Sequence, residues 1–173
     1  SLFAQVAEID TAKVEKDEII VDHSDVGEFM QRGDTTIQKL MKEIQQVALH
    51  QEDIYMYCDT AVLMNKQLVA DGNVIIQQGD SLSVFADSLR YDGTSRLADL
   101  YGEIVLIKGS QQLFTNRMTY DLKTKIAIFR EGATLTNDTI HLSSKIGYYY
   151  AETDEAFFKD SVVVYDDEFT LFS

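Results

Sequence analysis

The feature that most constrains the fold of this 173-residue chain is an internal repeat between Val74 and Ser173. Apolar residues recur there every 29 positions in four series: Val84, Leu113, Leu142 and Leu171; Ala98, Ala127 and Ala156; Leu100, Phe129 and Phe158; and Leu106, Leu135 and Val164. Tyrosines keep the same step (Tyr91, Tyr120 and Tyr149), and glycines recur at a step of 30 (Gly72, Gly102 and Gly132). Such a period is typical of repeat architectures, in which each unit buries its apolar face against its neighbours.

Each unit holds about two strands joined by tight turns. Leu82, Val84 and Ala86 share one face of a strand, whereas Ser83 and Asp87 fall on the other, which is the alternation of a half-buried strand. The chain has no proline, which suits long paired strands because proline removes a ladder donor. The pattern predicts an all-β, antiparallel, sandwich-like or solenoid-like body with strand-like segments at 47–50, 53–64, 67–78, 81–91, 96–108, 111–121, 125–130, 133–136, 139–150, 155–165 and 168–172.

The N-terminal part is less regular. We expect residues 1–18 to form an irregular lead-in, followed by a single domain over 19–173 that opens with a short strand at 19–21. Residues 27–36 read as a loop because they hold two glycines and an aspartate. Residues 36–47 are ambiguous: their apolar spacing alone predicts a helix, whereas the downstream repeat predicts that their last part leads into a strand.

Composition excludes several classes of function. The net charge of −14 disfavours nucleic acid and anionic membrane surfaces as partners. No stretch approaches the roughly 20 apolar residues that a membrane-spanning helix needs. No basic segment followed by an apolar run opens the chain, so we expect any signal peptide to have been removed or never present. Cys58 is the only cysteine, which rules out an internal disulfide.

Catalytic and metal-binding patterns are weak. The three histidines, His23, His50 and His141, lie in different segments without a second ligand at metal-binding spacing, so we expect no metal and no cofactor. No nucleophile is paired with a base, and we expect the protein not to be an enzyme. A pair of carboxylates meeting across strands, as in a glycosidase, is the catalytic alternative.

The apolar ladder is the candidate functional site, formed by Val84, Leu100, Leu106, Leu113, Met118, Phe129, Leu135, Leu142 and Phe158. Two interpretations stay open from the pattern. The ladder is either an ordinary dry core in which two inner faces interdigitate, or the lining of an apolar groove that holds acyl chains. The tyrosine series allows the same choice between cross-strand packing and a ligand platform.

Several phrases of the sequence point to a known family: YCDTA at 57–61, DGNV at 71–74, QGDSL at 78–82, ADSLRYD at 86–92, LFTNRMTYD at 113–121 and LSSKIGYY at 142–149. Their order and repetition resemble the OstA-like, or LptA-like, family of periplasmic lipopolysaccharide-transport proteins, which also includes the N-terminal domain of the outer-membrane lipopolysaccharide-assembly protein. The resemblance covers about residues 19–173.

The resemblance implies a twisted antiparallel β-jellyroll, folded like a taco, whose apolar interior shields the acyl chains of lipid A. It also implies a role in outer-membrane biogenesis, in the periplasm or at the outer membrane of a Gram-negative bacterium. The implied partners are lipopolysaccharide and homologous transport proteins, or copies of the same chain, joined end to end by strand addition. We expect the anionic head group to stay in solvent, or near cations or Arg90 and Arg117, while the acyl chains alone enter the interior. The rival hypotheses are a dry structural scaffold or adhesin and a carbohydrate-active enzyme.

Overall fold

The structure is a computed structural model that describes residues 15–138, 140–165 and 170–172, the last of these by backbone alone. Within these ranges the chain forms seventeen antiparallel β-strands and no α-helix, so no described helix could cross a membrane. The strands are β1 (Ile20–His23), β2 (Val26–Arg32), β3 (Thr35–Met41), β4 (Val47–Gln51), β5 (Ile54–Cys58), β6 (Thr60–Met64), β7 (Gln67–Gln78), β8 (Leu82–Asp92), β9 (Leu97–Lys108), β10 (Gln111–Asp121), β11 (Ile126–Phe129), β12 (Ala133–Asn137), β13 (Ile140–Ser144), β14 (Ile146–Tyr150), β15 (Glu155–Lys159), β16 (Val163–Tyr165) and β17 (Thr170–Phe172).

Backbone pairing arranges these strands in two layers. The first layer runs through β1, β4, β5, half of each of β7, β8, β9 and β10, then β12, β13, β16 and β17. The second layer runs through β2, β3, β6, the other halves of the same four strands, then β11, β14 and β15. Because β7 to β10 belong to both layers, the molecule is one sheet folded along a corner that crosses these strands, and the all-β, antiparallel jellyroll prediction is confirmed.

The corner is built from irregularities in the long strands. Strand register shifts between Asp71 and Val74 in the pairing of β7 with β8, and again in the pairings of β8 with β9 and β9 with β10. At Gly72, where φ is +81°, a Cβ atom would lie 2.8 Å from a carboxylate oxygen of Asp59. At Gly102, where φ is +78°, it would overlap the carboxylate of Asp87. Gly72 and Gly102 therefore allow both the left-handed backbone and the close approach of the neighbouring strand.

The core lies between the two layers and is formed by every second residue of the strands. In β8, Leu82, Val84 and Ala86 are buried, whereas Phe85 and Asp87 are exposed, as the alternation predicts. The three repeating tyrosines also point inward and are buried. One continuous apolar cluster extends from Ile19 to Ala151.

The strand boundaries in the repeat region agree with the sequence. The predicted segments 67–78 and 111–121 are observed with the same limits. The predicted segments 53–64, 139–150 and 155–165 are each divided into two strands where the chain turns the corner. Residues 1–14, 139, 166–169 and 173 lie outside the described residues, and with them most of the predicted lead-in and the start of the last predicted segment.

At the N-terminal end one prediction is wrong, and one of the two alternatives for residues 36–47 is excluded. Residues 27–36 are not a loop, because β2 and β3 form a hairpin whose turn lies at Gly33 and Asp34. A helix over 36–47 is excluded by β3, in which Leu40 is buried and pairs with Gly27 on one side and Ala61 on the other. Pairing on both sides of β3 outweighs the local helical spacing, a common effect of tertiary context on weak local preferences.

Candidate functional site

All nine residues of the predicted apolar ladder lie in the interior between the two layers. Seven are almost fully buried, with exposures of 0% to 7%: Val84, Leu100, Leu106, Leu113, Met118, Phe129 and Leu135. Leu142 and Phe158 are half-buried and pack against the same cluster. The structure therefore brings the whole predicted set together, and side chains fill the middle of the interior.

The apolar interior between the two layers continues toward their C-terminal strands. The Phe129 ring lies 5.8 Å, centroid to centroid, from the ring of Phe158. Between them on the sheet lies Gly147, which pairs with both residues, and a Cβ atom there would overlap the Phe129 ring. Gly147 thus leaves room for an aromatic contact that carries the apolar lining to the half-buried Phe158 on β15.

The N-terminal end of the interior carries an exposed aromatic residue. Phe29 on β2 is 71% exposed and pairs with Gln38, which in turn pairs with the buried Leu63. Since directly paired residues of antiparallel strands point to the same side, Phe29 faces the interior side of the second layer. Apolar side chains are therefore only partly covered at both ends of the stack.

Each layer also ends in strands that pair on one side only within the described part of the chain. At the N-terminal end these are β1 and β2, and at the C-terminal end they are β15 and β17. Their outer backbone donors and acceptors form free strand edges of the kind to which another strand adds.

On the side opposite the corner, side chains join the rims of the two layers. The first of these contacts, here named the first clasp, centres on the fully buried Gln51 of β4. Its Nε2 donates to the carbonyl oxygens of Gly93, at 2.8 Å, and Lys16, at 2.9 Å. The hydroxyl of Tyr91 donates to its Oε1 at 2.5 Å. Every polar atom of the Gln51 side chain is therefore engaged in joining the rims.

The second clasp centres on Gln78 at the end of β7. Its Nε2 donates to the carbonyl oxygen of Leu122 at 2.8 Å. The Oε1 of Gln78 and the hydroxyl of Tyr120 are both buried, and neither has a hydrogen-bond partner among the described residues. Farther along the rims, Lys108 Nζ lies 3.4 Å from a carboxylate oxygen of Asp154. The sequence placed the tyrosines near these turns but did not single out the glutamines, whose only signal is a polar residue at an inward strand position.

Burial keeps the interior groups neutral. It raises the pKa of Tyr91, Tyr120 and Tyr149 far above that of an exposed phenol. Burial also raises the pKa of the Cys58 thiol to about 12, so this cysteine is a small apolar core residue and not a nucleophile at neutral pH.

The other polar candidates do not converge on a site. His23 pairs with Asp25, His50 pairs with Asp22, and His141 stacks on an aromatic ring of β16, all in separate places. The described residues contain no group of three side chains that could hold a metal ion.

Arg90 and Arg117 both lie on the outer face of the second layer. Arg90 is exposed at an outward position of β8. Arg117 lies 5.4 Å from the ring centre of Tyr101 and pairs with Glu131 at 3.5 Å. Neither arginine faces the interior, so a contact with the head group remains a prediction that concerns the outer face alone.

The fold and this site define a class of protein: a folded β-jellyroll with a continuous apolar interior and, among the described strands, edges at both ends that pair on one side only. The chain matches the family model described as OstA-like protein over residues 16–173, and it belongs to the OstA-like family. No curated protein sequence matches it significantly.

A solved structure supports the fold. The crystal structure of LptH from Pseudomonas aeruginosa, the LptA-homologous periplasmic component of the conserved lipopolysaccharide transport device, matches with a TM-score of 0.55 and 14% sequence identity. The match covers 64% of this chain and 80% of that chain. At this level of identity the similarity establishes a shared β-jellyroll.

Proposed function

We propose that this chain is a non-enzymatic lipid-binding protein of lipopolysaccharide transport that acts in the periplasm and shields lipid A acyl chains in its interior. The observation that carries the proposal is the continuous apolar lining that reaches incompletely covered ends at Phe29 and Phe158. Membership of the OstA-like family and the shared fold of LptH, a periplasmic transport component, give this lining a biological context.

Burial of acyl chains in an apolar interior is favourable without any specific polar or charged contact. Transfer of each methylene group from water into an apolar environment is favourable by about 0.8 kcal/mol. The middle of the interior is filled, so an acyl chain has to displace side chains or part the layers there. Entry at either end requires less displacement than entry in the middle, because Phe29 is exposed and Leu142 and Phe158 are only half-buried.

Charge indicates how the ligand is oriented. The chain carries a net charge of −14, and Arg90 and Arg117 lie on the outer face away from the interior. We infer that the interior takes the acyl chains alone, while the anionic head group stays in solvent.

The free edges at both ends support end-to-end assembly. Homologous OstA-like proteins, or further copies of this chain, would add strands at β2 or β15 and continue the apolar interior from one unit into the next. The exposed Phe29 at one end and the half-buried Phe158 at the other would then be covered by the neighbouring unit.

The observation that favours a second function is the complete burial of the middle of the ladder. Leu100, Leu106 and Leu113 each have 0% exposure, which suits a dry structural scaffold with no ligand. A scaffold and a carrier differ in whether lipid reaches these positions.

Site-specific photocrosslinking with purified lipopolysaccharide distinguishes the two, because the chain offers matched neighbours of opposite orientation. Phe158 faces the interior, whereas Phe157 is 61% exposed on the outer face. Leu113 is fully buried, whereas its neighbour Phe114 is 40% exposed. A carrier gives lipid adducts with a photoreactive residue at 158 and 113 and few at 157 and 114.

Equal labelling within each pair would indicate adsorption to the outer surface and would contradict the carrier. An absence of adducts at all four positions, with the circular dichroism spectrum unchanged, would favour the dry scaffold. Labelling at 158 but not at 113 would confine the lipid to the end of the stack.

A further inference from the structure

The first and second clasps share one arrangement of glutamine, tyrosine and carbonyl group, yet they are bonded differently. Tyr120 and Leu122 follow Tyr91 and Gly93 by the same 29 residues. In both clasps the glutamine amide spans the gap between the rims of the two layers. It donates, at 2.8 Å, to the carbonyl oxygen of the residue two positions after the tyrosine. In the first clasp the tyrosine hydroxyl also donates to the glutamine Oε1, whereas in the second clasp neither atom has a partner among the described residues.

The unbonded pair in the second clasp is costly. Tyr120 has 0% exposure and Gln78 has 7%, so water does not solvate their side chains freely. A buried donor or acceptor without a partner destabilises a protein by about 1–3 kcal/mol, and native structures hold few such groups. Among the buried side-chain polar atoms of the described residues, the donor of Tyr120 and the acceptor of Gln78 are thus the two that lack a partner and could bond to a ligand.

The chemistry of these two atoms selects a functional group. A phenol donates one hydrogen bond, and the carbonyl oxygen of a carboxamide only accepts. A hydroxyl group satisfies both at once, because it accepts from Tyr120 and donates to Gln78. A methylene group satisfies neither, and an ester or ketone carbonyl satisfies only the tyrosine.

A small cavity in the gap between the rims reaches the glutamine of this clasp but is not lined by Tyr120. The volume of this cavity is about 120 Å³. Gln78 lines it, together with the charged residues Lys108, Lys125 and Glu152. Charges of both signs line it, so the cavity itself does not select a charged group. On the inner side, Met118, two positions before Tyr120 on β10, belongs to the apolar core.

We propose that the second clasp is a binding position for the hydroxyl group of a hydroxylated acyl chain. The chain lies in the apolar interior, and its hydroxyl lies between Tyr120 and Gln78. This inference rests on the proposed function and adds a selectivity to it, since the interior alone would not distinguish a hydroxylated chain from an unsubstituted one.

The test is isothermal titration calorimetry of the full chain with two probes, 3-hydroxytetradecanoate and tetradecanoate, below their critical micelle concentrations. The wild-type protein is expected to bind the hydroxylated probe about tenfold more tightly, the effect of roughly one net hydrogen bond. Tyr120→Phe and Gln78→Met are each expected to abolish this preference while still binding tetradecanoate. Tyr91→Phe, the matched change in the bonded clasp, is expected to keep it.

The other outcomes overturn the inference in distinguishable ways. Equal affinity of the wild type for both probes, as expected if the two atoms bond to each other or to water only, overturns the hydroxyl site and leaves the lipid-binding function standing. A loss of preference in Tyr91→Phe as well overturns the assignment to the second clasp. Failure of the folded wild type to bind either probe overturns this site together with acyl binding.

Discussion

The two clasps show how a repeat can keep one architecture and change its chemistry. The first clasp fastens the rims with a fully bonded glutamine between Gly93 and Tyr91. The second clasp keeps the amide bond to Leu122, but its buried phenol and its buried carbonyl oxygen have no partner in the described part of the chain. Two clasps of the same arrangement therefore differ in bonding: the first is a complete structural fastening, and the second keeps a donor and an acceptor for which we propose a ligand.

The largest expected difference between the clasps comes from replacing the glutamines. Gln51→Met removes three hydrogen bonds and leaves the buried Tyr91 hydroxyl without an acceptor, so we expect the free energy of unfolding to fall by about 3 kcal/mol. Gln78→Met removes one bond and an acceptor that was already unbonded, so a loss of about 1 kcal/mol or less is expected.

Urea denaturation followed by circular dichroism measures both values. Equal losses for the two methionine variants would show that Gln78 is bonded as fully as Gln51, which would remove the difference between the clasps.

Replacing the tyrosines is expected to give a smaller difference in the free energy of unfolding, again with the larger loss at the first clasp. Tyr91→Phe leaves the buried Oε1 of Gln51 without its donor, which is expected to cost about 1–2 kcal/mol. Tyr120→Phe removes a hydroxyl that has no partner in the described structure, so stability is expected to stay within about 0.5 kcal/mol or to rise. The same urea titrations test this pair, and a clear destabilisation by Tyr120→Phe would indicate a hydrogen bond to that hydroxyl in the free protein.

The smallest effect is expected at the exposed ion pair beside the first clasp. Arg96 Nη1 lies 3.0 Å from Glu52, and this hydrogen bond lowers the pKa of the Glu52 carboxyl. A carboxyl group with a lowered pKa in the folded state contributes stability above its unfolded pKa, and that contribution disappears as the pH falls through the folded value. Glu52→Gln is therefore expected to lower Tm slightly at pH 7, by a difference that shrinks toward zero below about pH 4 and in high salt.

The control for this measurement is Glu152→Gln. Glu152 is exposed on the other rim, has no ion-pair partner in the described ranges, and loses the same charge on substitution. A similar loss of Tm in both variants at pH 7 would assign the effect to net charge and not to the contact with Arg96.

Much of the fold was predictable from the sequence because its signals are local and repeated. Alternation in segments such as 82–92 and 111–121 defines an inward and an outward face, and the turn residues between the segments set their limits. The nine ladder residues were placed inside correctly for the same reason. The hairpin of β2 and β3 was missed because its residues lie outside the clear repeat and carry helical spacing.

The clasps could not be predicted in the same way. Gln51 and Gly93 lie 42 residues apart, and their contact forms only when the two layers fold onto each other at the corner. A glutamine at an inward position was a weak signal, since sequence alone does not tell whether it meets a carbonyl group, a tyrosine or solvent.

The order of the amino acids established the period, the strands and the side of each strand that faces inward, because these follow from side-chain alternation and turn chemistry within a few residues. The three-dimensional arrangement settled three further features: the pairing of β3, the meeting of the rims and the bonding of each clasp. These depend on contacts between distant segments, whose energies arise only when the folded sheet brings a donor within about 3 Å of its acceptor. The unbonded atoms of the second clasp are a feature of that closure, and of no single stretch of the chain.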